Sequence, residues 1–211
     1  MRISPVVVAH TSRDIQAKQL ASQLDDCPIT FDDGTLGAGR NHLKAWILAN
    51  THPDTTHCLV VEDDAIPVDD IHTQMMEALK VAPSPVVSFY TGINRPPQWQ
   101  IPIQAALGQN TEWLCCDEVL HAVALCIRSD LIPDMCQTVE NIRLPIDQAI
   151  GKWTRLRGIP VSYTNPSLFN HADGDPVITH RHDGQPRSAP RVAHRFGSRT
   201  RWGSTITWMK R

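Results

Sequence analysis

No stretch of this sequence is both long and apolar. Its longest such runs, Pro5 to Ala9 and Cys58 to Val61, are a fraction of the roughly 18 residues that a membrane-spanning helix needs. No apolar signal-peptide segment follows Arg2, so a soluble, cytoplasmic protein with no membrane span is expected. The six cysteines (Cys27, Cys58, Cys115, Cys116, Cys126 and Cys136) form no C-x-x-C pair and lack the spacing of small disulfide-stapled domains. A disulfide framework or thiolate zinc site is therefore not expected, and the thiols read as reduced and buried. Also missing are G-x-x-x-x-G-K-S/T, a G-x-G-x-x-G after the first strand, and a G-x-S-x-G elbow, which removes the main sequence support for a P-loop NTPase, a Rossmann dehydrogenase and an α/β-hydrolase. There is no internal repeat.

What is present suits one globular domain: 211 residues, 41% hydrophobic, with a net charge of −2. That small net charge hides an asymmetry. Residues 180–211 carry eight Lys and Arg against the single Asp183, whereas residues 1–179 carry 12 against 21 acids. The chain thus divides into a body, 1–179, and a basic tail, 180–211, that also holds Phe196, Trp202 and Trp208. Without apolar periodicity, the tail is expected to be extended or loosely folded.

Along the body, strands alternate with helices. Val6 to Ala9 reads as a buried strand, followed by Ser12 as an N-cap and a helix over Arg13 to Leu24, with Ile15, Ala17, Leu20, Ala21 and Leu24 inward. Ile29 to Phe31 is a short strand that runs into Asp32-Asp33-Gly34, and Gly37 to Gly39 lead to a helix over Arg40 to Ala49 with Leu43, Trp46 and Ile47 inward. Cys58 to Val61 is a strand, Val68 to Val81 a helix, and Val86 to Tyr90 a strand; Gly92 to Gln109 reads as a long loop. Leu120 to Ile127 is β-like, Leu131 to Cys136 and Ile146 to Leu156 are helical, and Ile159 to Tyr163 is a last strand. The alternation predicts a three-layer α/β fold around a mostly parallel, Rossmann-like sheet.

In such sheets the ligand crevice lies beyond the carboxyl ends of the strands. Glu62, Asp63 and Asp64 stand where the Cys58 to Val61 run stops. Hard divalent cations take oxygen ligands and bridge carboxylates to phosphates, so this cluster is a candidate seat for Mg²⁺ or Mn²⁺. The other reading is that these acids are solvated or cap the next helix.

Three segments, Gly37-Ala38-Gly39-Arg40-Asn41-His42-Leu43, Cys58 to Pro67 with its acid run, and Asn165-Pro166-Ser167-Leu168-Phe169-Asn170-His171, together resemble nucleotide-sugar glycosyltransferases of the GT-A fold. Within that group they are most similar to the lipooligosaccharide-synthesis glycosyltransferases, over residues 5 to 175. The resemblance implies a hexosyltransferase-like enzyme that uses a nucleotide sugar, with a UDP-sugar as donor. It implies Asp64 as the principal metal ligand, at the last acid of a D-x-D-like motif, and His171 as the late histidine that completes the shell, with Asp173 and Asp175 nearby as substitutes or supports. Glu62 departs from the pattern at the first acid, where its longer arm would reach a ribose hydroxyl or a metal-bound water. Asp63 is left open between the sugar and a supporting role. Asp147, after Pro145, matches an acceptor-side carboxylate that would act as the base; an N-terminal helix acid is the alternative. Asp117 and Glu118 are weaker alternatives as the base. Nucleotide contacts are expected at Thr11, Ser12 and Arg13 after the first strand, at Asp32 and Asp33 after the second, and at Arg40 and Asn41.

Alternation of Arg with Trp and Phe in the tail suits phosphate contacts combined with base stacking, which makes a hydroxylated base in modified DNA one candidate acceptor. The tail could equally pack its tryptophans on the body and neutralise its acidic surface, or cover the donor site. His180-Arg181-His182 lacks partner ligands at sensible spacing and reads as charge. Two competing functions remain. A metal-dependent phosphoesterase or nuclease would hold two ions with Glu62, Asp63, Asp64 and His171, and a non-catalytic nucleic-acid-binding protein would rely on the tail.

Overall fold

The computed structural model describes residues 1–172, 174 and 190–211. The first half comprises β1 (Ile3–His10), α1 (Asp14–Gln23), β2 (Ile29–Asp32), α2 (Ala38–Ala49), β3 (His57–Glu62), β4 (Ala65–Pro67), α3 (Ile71–Lys80) and β5 (Val86–Ser88). The second half adds α4 (Gln100–Leu107), β6 (Trp113–Cys116), β7 (Ala124–Arg128), α5 (Ile132–Val139), α6 (Ile146–Arg157), β8 (Val161–Thr164), β9 (Phe169–His171) and β10 (Ile206–Trp208). Eight strands form one sheet in the order β10-β6-β8-β5-β7-β3-β1-β2, and β4 pairs with β9 in a separate two-stranded ribbon. The sheet is mostly parallel: β2, β1, β3, β5 and β8 share one direction, while β7, β6 and β10 run against them.

Side chains of a strand alternate between its two faces, and that period of two builds the layers. Val6 and Val8 of β1 and Cys58 and Val60 of β3 belong to a core shared with α2, α4, α5 and α6. Val7, Ala9, Leu59 and Val61 belong to the opposite core, which is closed by α1 and α3. The central strands are therefore apolar on both sides, as a sheet covered on both faces requires. All six cysteines are free, and Cys136 alone is not fully buried.

Several expectations need correction. Ser12 is not the cap of α1. Thr11–Arg13 form a 3-10 turn ahead of that helix, and the His10 side chain accepts from Ser12 N. Ile15 and Ile47, expected inward, are 68% and 59% exposed, because each sits on the flank of a stripe already filled by alanine, leucine and tryptophan. The stretch 92–109 is not a continuous loop but contains α4. Pro102 lies in the first turn of that helix, where a missing N–H costs nothing, and Ile103, Ala106 and Leu107 pack on the core. The expected Val68 to Val81 helix begins only at Ile71, since Val68 N is taken by Leu168 O. Asp173, Asp175 and His180-Arg181-His182 lie outside the described residues.

The described part of the tail is stitched to the body. Ala193 bridges to Gly92 and Phe196 to Ser167, and β10 extends the sheet beside β6. Trp202 is buried, 5.5 Å from Trp113 between ring centroids, and its Nε1 donates to Gln74 Oε1 at 2.8 Å. Gln74 also accepts from Arg199 N and donates to Arg199 O, so one buried amide fastens two residues of the tail. Trp208, by contrast, is 54% exposed.

Candidate active site

The alternation along β3 sorts the three acids. Glu62 continues the Cys58 and Val60 side and meets α2, where His42 Nε2 lies 3.5 Å from its Oε1. Asp63 turns toward β1. Its Oδ2 accepts from His10 N at 2.9 Å and its Oδ1 from Arg13 Nη1 at 2.9 Å. Arg13 Nη1 also donates to Asp64 Oδ2 at 2.5 Å, which ties both aspartates to the turn that follows β1.

The β4–β9 ribbon brings in the distant histidine. Ala65 stands opposite His171, and Ala172 N donates to Asp64 O at 2.8 Å. His171 Nδ1 is 2.7 Å from Ala172 O, an acceptor only, so that nitrogen carries the proton. In the neutral ring Nε2 is then a lone pair, 3.3 Å from Asp64 Oδ1, a buried oxygen with no hydrogen-bond donor among the described residues. Two acceptors at that distance call for a proton or a cation between them. One ligand atom each from Glu62, Asp64 and His171 lies within 4.8 Å of the others, a spacing that suits a single ion. Two carboxylates and a neutral imidazole are a set that divalent metals accept.

The electrostatics separate the acids. Burial pushes the Glu62 carboxyl up, but its bond to His42 and the fields of His42, His171 and His121 outweigh this and hold it below its ordinary value. Burial and the Glu62 charge raise Asp64 in spite of His171 and Arg13. Burial likewise raises Asp147, with Glu62 adding to the shift and His42 opposing it, so the first turn of α6 lies in the field of this cluster. Tyr90 is raised by burial and by Asp64 and Glu62, and its ring stands 6.2 Å from that of His171. Burial lowers His121 to about 4, so it is neutral, accepting from Gly92 N at 3.3 Å through Nε2.

Of the residues singled out in the sequence, Arg13, Glu62, Asp63, Asp64 and His171 converge, and Asp147 lies within the field of Glu62. Thr11 and Ser12 are exposed beside His10, whose Nδ1 lies 2.8 Å from Ser12 Oγ. Asp32 Oδ1 accepts from Gly34 N and Leu36 N, and Asp33 Oδ1 from Thr35, so these acids shape the turn after β2. Asn41 is buried and donates to Ala9 O and Thr30 O, lacing α2 to β1 and β2. Arg40 is exposed on the first turn of α2. His42, His121 and Tyr90 were missed. His42 was legible in principle, since it falls on the inward stripe with Ala45, Trp46 and Ala49; His121 and Tyr90 lie inside apolar runs that gave no sign of a nearby charge.

No known protein family and no curated protein matches the chain. Solved structures that it resembles include A197 from STIV, at 10% identity over 86% of this chain and 100% of that one, with a TM-score of 0.49. A Bacillus anthracis protein described as a glucose-1-phosphate thymidylyltransferase, in complex with sucrose, gives 12% identity, 77% and 86% coverage and a TM-score of 0.43. A glycosyltransferase involved in glycosylation of the major capsid of PBCV-1 gives 11%, 82% and 94%, and 0.44. These likenesses are too remote to assign an activity, which rests on the groups of the site.

Proposed function

We propose that this chain is a metal-dependent glycosyltransferase that moves a sugar from a nucleotide donor, a UDP-sugar first among them, to a hydroxyl acceptor. The observation that carries the reading is the convergence of Glu62, Asp64 and His171 at the carboxyl end of a central strand, one ligand atom of each lying within 4.8 Å of the others. Glu62, Asp64 and His171 would hold Mn²⁺ or Mg²⁺, and the ion when bound would neutralise the diphosphate oxygens of the leaving group. Asp147, raised by its burial, takes the proton of the acceptor hydroxyl as the new C–O bond forms and the bond from the sugar to the diphosphate breaks. Thr11, Ser12 and Arg40 are exposed, and with the turn at Asp32 and Asp33 they are assigned to the nucleotide.

A two-ion phosphoesterase or nuclease fits less well, because both oxygens of Asp63 already accept from His10 N and Arg13. DNA as acceptor through the tail is also weakened. Arg199 pairs with Glu112, Arg211 with Glu118, and Arg195 donates to Leu107 O, so these cations face the body.

The test is a panel of nucleotide sugars with Mn²⁺, read as release of nucleoside diphosphate, with and without hydroxymethylated DNA. One donor should turn over in a metal-dependent way, and Asp64→Ala should abolish it. Liberation of inorganic phosphate or cutting of nucleic acid without a sugar donor would overturn the reading. A requirement for hydroxymethylated DNA would restore the nucleic-acid acceptor.

A further inference from the structure

We propose that His42 is a positioning residue for the metal seat, holding the Glu62 carboxylate toward the ion; this rests on the reading above that Glu62, Asp64 and His171 share one cation. Side chains that ligate a metal are commonly oriented by a partner on their far side, and loss of that partner weakens binding. Two of the three candidate ligands have such a partner in plain view. Asp64 is held by Arg13 at 2.5 Å, and His171 through Nδ1 by Ala172 O at 2.7 Å. Glu62 is the third. Its side chain is 31% exposed at the end of β3, and its arm has three rotatable bonds, so it needs a fixed contact more than either of the others. Among the described residues the one basic side chain that pairs with it is His42, at 3.5 Å.

The position of His42 supports the same conclusion. It occupies the inward stripe of α2, one turn before Ala45 and Trp46, and its side chain is 5% exposed. An apolar residue would fill that place without the cost of burying an imidazole, which is recovered only where the ring nitrogens are bonded. The helix fixes the ring from behind, and strand alternation points Glu62 at it. Asp147 lies within the field of His42 as well.

Titration with Mn²⁺ alone, followed by calorimetry or by water-proton relaxation, tests this without reference to turnover. His42→Leu should raise the Mn²⁺ Kd by about 10- to 100-fold. His42→Gln, whose amide N–H reaches about as far as Nε2, should recover most of that loss; the shorter His42→Asn should not, and this pair decides the matter if the leucine variant does not fold. In a Glu62→Gln background, His42→Leu should cost nothing further, because the effect passes through Glu62. Unchanged affinity in His42→Leu, equal losses in Gln and Asn, or an additive loss in the Glu62→Gln background would overturn the positioning role. A wild-type protein with no saturable Mn²⁺ binding would instead overturn the metal reading, and the inference with it.

Discussion

The carboxyl end of β3 and the C-terminal segment 190–211 are both rich in charge, and they treat it in opposite ways. In the segment, two arginines are tied to acceptors of the body: Arg211 lies 2.6 Å from Glu118 with its guanidinium 5.1 Å from the Trp99 ring centroid, and Arg199 donates to Asn165 O at 2.7 Å and pairs with Glu112. At the end of β3, one guanidinium, that of Arg13, is shared by Asp63 and Asp64 while Glu62 has only the imidazole of His42 against it, and the Glu62 carboxyl is pushed down as that of Asp64 is pushed up. Charge that is matched locally stabilises a fold and has nothing left to offer a ligand. Charge held together without a match is maintained by the rest of the structure at a cost, which is the usual condition of a site.

If that contrast is right, substitutions should divide cleanly into those that stop chemistry and those that loosen the fold. The largest effect is expected at Asp147. Asp147→Asn should lower turnover by about 10² to 10⁴ while leaving donor affinity alone. Because the base must be ionised and its pKa is raised, the acid limb of the pH–rate profile should lie above the ordinary carboxylate range and disappear in the variant. A variant with near-normal turnover would return Asp147 to the role of a helix-terminal acid.

Next in size is the fastening of the segment. Trp202→Ala should cost about 3–5 kcal/mol, the usual loss for a buried tryptophan, which is a fall in Tm of roughly 10 °C in a domain of this size. Gln74→Ala, which leaves the Trp202 and Arg199 N–H groups unpaired, should cost about 1–3 kcal/mol. Both should leave Mn²⁺ affinity unchanged; a thermal scan that did not move would mean the segment is a loosely attached arm. The smallest effect lies far from both regions. Asp134 is held down to about 2, first by its bonds to Arg157 and then by Trp153 Nε1. The stabilisation is therefore full above the ordinary carboxylate pKa and lost as pH falls toward 2. Arg157→Ala should flatten the acid side of the stability curve between those limits, leaving only the share due to Trp153.

Much of the fold was legible because strands and helices carry their own periods. The unbroken apolar runs Val6 to Ala9 and Cys58 to Val61 marked buried strands, and Ala17, Leu20 and Trp46 marked inward helical faces. The acids after Val61 were conspicuous for the same reason, since polar residues begin where a buried strand ends. Less legible were the short strands β4, β6, β9 and β10, each of three or four residues, too brief for a period to declare itself. Pro102 disguised α4, and Ile15 and Ile47 were misread because an apolar residue on the flank of a stripe has the same spacing whether or not it is covered.

What the sequence determined by itself was local: the alternation of elements, the two apolar faces of the central strands, and the acid run at the end of one of them. What only the tertiary structure decided was partnership. Gln74 reaches Arg199 across 125 positions, Asp63 reaches His10 across 53, and the β4–β9 ribbon sets His171 against Asp64. Hydrophobic periodicity is a property of neighbours along the chain and survives in one dimension. Whether a charge meets its opposite, a second acceptor or water depends on which distant backbone segments pack together, and that is settled only when the core closes.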